Sequence, residues 1–224
     1  MRTTLRTAVI CALTLAAACY RPPDLPITPY ETPILSSDST VVDTCAPRRE
    51  ARISAVKDGD TFSITSAAGV EDVRMLGVNA PETSGGTPEC LGEYAKAVAT
   101  AALDNQLVTL TFDQQCQDND IYRRTLAYAW IDPDNAAQYL DRNVLDEMSA
   151  DFDTGVTSLG LMFNEYLIRA GLGCWYDQQV QLGLPEPLYE DNRFIIAERI
   201  AKSRKLGIWS DQCAGADIEY CDDF

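Results

Sequence analysis

From residue 51 the chain alternates apolar and polar side chains. Residues 51–57 keep the period of a strand with one buried face. Asp58-Gly59-Asp60 breaks the pattern as a turn, and residues 61–65 resume it. A second turn at 67–69 leads to a third strand over 71–78. Residues 91–103 are Ala-rich and predict a helix. Strand character returns at 107–112 and 125–131. Two more helices are predicted, a short one over 161–170 that stops at Gly171 and a longer one over 190–206. In the longer one Phe194, Ile195, Ile196, Ile200 and Leu206 are the apolar positions, and Arg193, Arg199, Lys202, Arg204 and Lys205 make much of the rest basic.

Three strands, a helix, two strands and then helices predict an α+β fold. The order fits a five-stranded OB-type barrel with about three flanking helices, in which closure removes exposed sheet edges. The domain is expected over 49–212, followed by an acidic, Cys-containing tail at 213–224. Residues 132–160 read as an acidic insertion, a solvated surface excursion with seven acids against the single Arg142. The spacing of those acids does not match an EF-hand.

Upstream, the pattern changes again. Arg2 and Arg6 precede a short, mostly apolar run that closes as Leu15-Ala16-Ala17-Ala18-Cys19, so residues 1–18 read as a secretory signal. The run is too short to span a bilayer, which takes about 20 residues. Its end resembles a lipobox, with Cys19 as the lipidated first residue and a membrane anchor; plain cleavage after Ala18 is the alternative. Residues 20–48, with Pro22, Pro23, Pro26, Pro29 and Pro33, read as a tether without a core of its own. Cleavage before Cys19 removes Cys11. If lipid takes Cys19, Cys45, Cys90, Cys116, Cys174, Cys213 and Cys221 remain, an even set suited to disulfides in an oxidising compartment. Cys116 is expected to meet a cysteine near the loops of the fifth strand or second helix, with Cys174 the candidate. A bacterial cell-envelope lipoprotein or a secreted protein, monomeric in either case, is the expectation.

Composition narrows the chemistry. The 224 residues include no histidine, which excludes Ser-His-Asp and Cys-His catalysis, His-ligated zinc and any His general base. Acid–base work must come from carboxylates, Tyr, Lys, Cys or metal-bound water. The net charge of −16 argues against a general nucleic-acid coat, because phosphate binding relies on Lys and Arg. Loss of Arg2 and Arg6 with the signal deepens it to −18.

Three clusters carry reactive groups. The first is Lys57-Asp58-Gly59-Asp60-Thr61. The second runs from Val73 through Arg74, Asn79 and Ala80 to Glu82 and Thr83. Its Arg74, in an otherwise apolar strand, needs an anionic partner. The third, from Asp120 to Tyr128, sets Arg123 and Arg124 just before a core strand. Together they supply hard oxygen ligands, a spare carboxylate and two arginines. That is equipment for metal-assisted phosphoryl transfer without histidine.

Their order closely resembles the staphylococcal nuclease (thermonuclease) family. The resemblance covers Asp-Gly-Asp-Thr at 58–61, Val-Arg-x-Leu-Gly-Val-x-x-Pro-Glu-Thr at 73–83 and Tyr-x-Arg-x-Leu-Ala-Tyr at 122–128. It continues through Asn164-Glu165-x-Leu167-x-Arg169-x-Gly171-Leu172 and ends with Lys205-Leu206-Gly207-Ile208-Trp209-Ser210. It implies an OB-fold barrel and calcium-dependent cleavage of DNA and RNA that leaves 3′-phosphates. Carried over by motif, Asp60 would ligate Ca²⁺ directly, with the side chain at 79 and the Ala80 carbonyl as further ligands. Asp58 would stand behind Asp60. Glu82 would be the general base, or organise the attacking water. Arg74 and Arg124 would clamp the phosphate. Arg123, Arg169 and Trp209 read as structural, and Asn164 and Glu165 as packing and hydrogen-bonding residues.

The chain departs from the family at three places. Asn79 stands where the family usually has Asp, which removes one formal charge from the calcium site and implies weaker affinity. The basic loop after the Glu is replaced by Ser84-Gly85-Gly86-Thr87-Pro88. Trp175 or Tyr176 would have to stand in for the tyrosines that pack on the nucleotide. A second reading follows from Asn79 and the charge: a catalytically weakened barrel acting as a binding module of the cell envelope.

Overall fold

Alternation in the first strand puts Ala51 and Ile53 inside, and the same period carries Phe62, Ile64, Val73 and Met75 into one core. The computed structural model describes residues 46–66, 69–84, 86–114, 116, 119–151, 159–177, 188, 190–218 and 221. The predicted signal, Cys19 and the tether up to residue 45 lie outside these residues.

Strands β1 (Arg49–Val56), β2 (Thr61–Ser66) and β3 (Gly69–Met75) form an antiparallel meander. A short β4 (Val78–Asn79) follows, then helix α1 (Gly92–Leu103), β5 (Leu107–Thr111) and β6 (Thr125–Ile131). β5 pairs with β1 and with β6, and β6 runs parallel to β3, which closes a five-stranded barrel. The α+β barrel with flanking helices predicted from the pattern is the fold observed. Every residue of β6 is buried. It faces the barrel interior on one side and packs helix α4 on the other. Ala95, Ala99 and Ala102 line the buried face of α1. Side chains this small allow close approach to the barrel.

Several boundaries differ from the prediction for local reasons. The third strand ends at Met75, because Leu76-Gly77 turn the chain with Gly77 at φ 71°. Asn79 therefore sits not in the barrel but in β4, paired with β8 (Cys174–Trp175). Residues 132–160 are not wholly a surface excursion. They hold α2 (Pro133–Ala136) and α3 (Arg142–Asp151), and Leu140, Val144, Leu145 and Met148 join the main core. Leu161–Met162 forms β7 on the edge of β6, so helix α4 is only Phe163–Arg169. All seven of its residues are buried. The last helix, α5 (Asp191–Ser203), packs on α4; its Phe194, Ala197 and Ala201 are buried, while Ile196 is exposed. Gly171 ends α4 as predicted, at φ 68°.

A second, smaller apolar cluster gathers Cys174, Ile208 and Ile218, with Cys90, Leu91, Trp209 and Cys221 against it. Two disulfides run through it, Cys90–Cys213 and Cys174–Cys221. The expected Cys116–Cys174 pairing is thus incorrect. Cys174 lies on β8, where the tail arrives with Cys221 at a Cα separation of 5.5 Å. Cys116 is also disulfide-bonded. Among the described residues no helix is long and apolar enough to cross a membrane.

Candidate active site

The Asp58-Gly59-Asp60 turn lies between β1 and β2, and the β2–β3 register sets Thr61 opposite Arg74. That register answers the need of a buried arginine for an anion. Arg74 Nη1 lies 2.8 Å from Asp60 Oδ2, with both side chains almost fully buried. Asp60 Oδ2 also accepts the Ala80 N–H at 2.8 Å, and Oδ1 accepts the Thr61 hydroxyl at 2.9 Å. The Asp58 carboxylate accepts the Asp60 N–H at 3.3 Å. Arg74 also donates through Nη2 to Asn79 Oδ1 at 2.9 Å and through Nη1 to the Val78 carbonyl at 2.7 Å. Asp58, Asp60, Arg74, Asn79 and Ala80 therefore form one connected network. Gly59 is required there by space, since a Cβ would stand 2.5 Å from Ala80 Cβ.

Burial pushes the Asp60 carboxyl up to about 7, and the neighbouring Asp58 charge adds to the rise. The Arg74 charge and the Ala80 N–H oppose it. Such a carboxylate is short of positive charge. Asp60 Oδ2 and Asn79 Oδ1 already converge on one cation, the guanidinium. Both are hard oxygens of the kind calcium takes, so the donor set fits that ion at low ligand charge. Among the described residues no three acidic, Cys or His side chains gather as a metal cluster.

Glu82 follows two residues after Ala80 and is half-buried. Its loop closes on itself. The Glu82 N–H donates to the Glu89 carboxylate at 2.7 Å, and the Glu89 N–H donates to the Glu82 carbonyl at 3.0 Å.

Arg124 belongs to a separate network. Its Nε donates to Asp120 Oδ2 at 2.6 Å, and the Asp120 carboxylate also accepts the N–H groups of Tyr122 and Arg124. The guanidinium lies 5.3 Å from the Tyr122 ring centroid. Thr125, the next residue, pairs with Val73 of β3, so Arg124 comes alongside Asp72, whose carboxyl it helps to hold below the usual range. Among the described residues the two Nη groups of Arg124 have no hydrogen-bond or ion-pair partner.

Of the proposed aromatic stand-ins, Tyr176 reaches the site, its ring 5.7 Å from Arg74 Cζ, while Trp175 packs against the core. Asn164 and Glu165 are buried hydrogen-bonding residues, as the pattern implied: Asn164 links Ala129 and Leu76, and Glu165 pairs with Arg169 and Arg193. Tyr122, Asp120 and Glu89 were given no role by sequence reasoning. For the first two a signal exists, an acid and an aromatic four and two residues before Arg124.

A closed OB barrel bearing a buried carboxylate–guanidinium pair, with a second arginine just before the adjoining strand, is a nuclease-like architecture. The family described as staphylococcal nuclease homologue matches residues 72–211, and the chain belongs to it. A thermonuclease of Staphylococcus hyicus is 29% identical over 162 residues, covering 71% of this chain and 75% of that one. A thermonuclease of Staphylococcus intermedius is 40% identical over 81 residues, 35% of this chain and 47% of the other. An uncharacterised protein of Methanocaldococcus jannaschii is 26% identical over 177 residues, 71% of this chain and 70% of that one.

Proposed function

We propose that this protein is a calcium-dependent nuclease that hydrolyses DNA and RNA phosphodiester bonds outside the cytoplasm. The observation that carries the proposal is the buried Asp60–Arg74–Asn79 network on a nuclease-family barrel. The side chains of Asp60 and Asn79 and the Ala80 carbonyl would hold Ca²⁺. When bound, that ion supplies positive charge to the phosphate and a site for the water nucleophile. Asp58 fixes the main chain at Asp60. Glu82 takes the proton from the attacking water. The Nη groups of Arg124 receive phosphate oxygens, and Arg74 stabilises the charge that develops in the transition state.

Substrate reaches a local patch, since the net charge of −16 disfavours non-specific sticking. Disulfides support an oxidising compartment. Anchoring through Cys19, with residues 20–48 as a tether, is part of the same proposal, as is a monomeric enzyme.

A second reading has its own motivation. Asn79 carries no charge, and its oxygen is already engaged by Arg74, which favours a catalytically weakened module that binds in the cell envelope. Digestion of single-stranded and duplex DNA separates the two. Calcium-stimulated cleavage that chelator stops supports the nuclease. Oligonucleotide binding without turnover supports the module.

A further inference from the structure

We propose that the C-terminal segment is a disulfide-fastened brace that positions Asn79 and Glu82, so that both disulfides contribute to the site and not only to the fold. The inference rests on the calcium-site reading above.

Asn79 is on a strand of two residues, too short to hold itself. Its partner in β8 is Cys174, and Cys174 is bonded to Cys221. The Cys221 Sγ lies 4.0 Å from the Asn79 carbonyl oxygen. Gly173 packs the same carbonyl so closely that a Cβ there would stand 2.8 Å from it. The residue expected to ligate metal is therefore set from behind by β8 and the tail.

The second fastening acts at the far end of the Glu82 loop. The reciprocal Glu82–Glu89 bonds close that loop, and the next residue, Cys90, is bonded to Cys213. Between the two bridges the tail contributes Ile218, which seals the small cluster with Cys174 and Ile208. This cluster is distinct from the barrel core. Val78 and Trp175 join β4 and β8 to the barrel core, while the bridge cysteines Cys90, Cys174 and Cys221 back the site loop from the smaller cluster. The bridges close 123- and 47-residue separations, and each restricts the unfolded chain as well. Calcium affinity depends on site rigidity as well as ligand charge. A fixed backbone at residues 79 and 80 offsets part of the charge that Asn79 lacks.

The test removes each bridge separately in the full chain, as Cys174→Ser/Cys221→Ser and as Cys90→Ser/Cys213→Ser. Ile218→Ser, which keeps both bridges, is the milder variant. Near-UV circular dichroism fixes a temperature at which the protein is folded. Three readings are taken there: calcium affinity by calorimetry, kcat at saturating calcium, and amide exchange at residues 79, 80 and 82. Loss of Cys174–Cys221 should weaken calcium binding at least tenfold and speed exchange at 79 and 80, with kcat changed less than threefold. Loss of Cys90–Cys213 should leave calcium affinity within twofold, speed exchange at 82 and lower kcat at least tenfold. Ile218→Ser should shift calcium affinity in the first direction by two- to threefold. Lowered melting temperatures with unchanged exchange at 79, 80 and 82 would overturn the brace, as would the same change in every reading from both bridge variants. Wild type that neither binds calcium nor cleaves would sink the nuclease reading instead, and the exchange rates would then decide the brace alone.

Discussion

Arg74 and Asp60 meet at 2.8 Å, with both side chains under a tenth exposed. A buried charge pair gains little net stability over an apolar pair, but breaking it is expensive. The pair is therefore better explained by the site than by the fold. The same guanidinium also holds the Asn79 oxygen, so Arg74 orders both side chains assigned to the metal. Its charge opposes the burial, which still prevails and leaves the Asp60 carboxyl raised to about 7.

Asn79→Asp restores a second carboxylate beside Asp60. Calcium affinity should rise about tenfold or more, since each 1.4 kcal/mol is about a factor of ten and ligand charge tunes such sites. Calorimetry of the two proteins in one buffer checks this. Equal affinities would show that residue 79 does not face the ion.

The two arginines should separate in their effects. Arg74→Ala strands the Asp60 carboxylate, and should cost about 3–5 kcal/mol of metal-free stability as well as activity. Arg124→Ala removes a partly exposed partner from Asp120, which keeps two backbone N–H donors. Its stability cost should be about 1 kcal/mol, while cleavage falls about a hundredfold or more. Denaturant melts beside cleavage rates make the comparison. An Arg124→Ala enzyme with wild-type turnover would remove it from the phosphate clamp.

Asn164 is fully buried and accepts the Ala129 N–H at 2.8 Å while donating to the Leu76 carbonyl at 2.8 Å. Asn164→Ala leaves both backbone groups without that partner beside the turn that leads to Asn79. The loss should be about 2–6 kcal/mol, from two such groups at about 1–3 kcal/mol each. Urea midpoints measure it, and a loss below about 1 kcal/mol would mean that the groups find other partners.

Much of the fold was legible because its signals are local. Alternation marked β1 and β2, the Ala-rich run marked α1, and Gly171 marked the end of α4. The misreadings have local and distant causes. Val78 leaves the third strand for β4, where Trp175, ninety-seven residues on, pairs with it. The apolar residues Val144, Leu145 and Met148 were masked by acids around them, yet α3 buries all three. Cys174 takes Cys221 rather than Cys116 because tail placement is a tertiary fact. In the site, Asp58, Asp60, Arg74, Asn79 and Ala80 lie in one network, while Glu82 bonds Glu89 in its own loop. That Arg74 bonds Asn79 as well as Asp60, and that Asp120 holds Arg124, depends on side-chain geometry that no sequence motif encodes.

Asp72 supplies a pH dependence. Its bond with Lys57 is the main reason its carboxyl lies below the usual range, with Ser63 and Arg124 adding to the effect. A depressed folded pKa stabilises above the unfolded value of 3.8 and loses that contribution as pH falls through the folded value. Both side chains are about a third exposed or more, so the contribution should be under about 1 kcal/mol. Asp72→Asn should therefore destabilise slightly at pH 7 and not at all near pH 2, measured by urea melts at both. An equal deficit at the two pH values would contradict the linkage.

In the proposed mechanism a carboxylate, calcium and two arginines cut phosphodiesters without histidine. The most direct measurement is the rate of single-stranded DNA cleavage by wild type and Glu82→Gln, each with calcium and with chelator. Wild type should cleave only with calcium, and Glu82→Gln should lose about a hundredfold or more, the usual scale for a general base, with calcium affinity unchanged. Cleavage that ignores chelator, or a Glu82→Gln enzyme as fast as wild type, would contradict it.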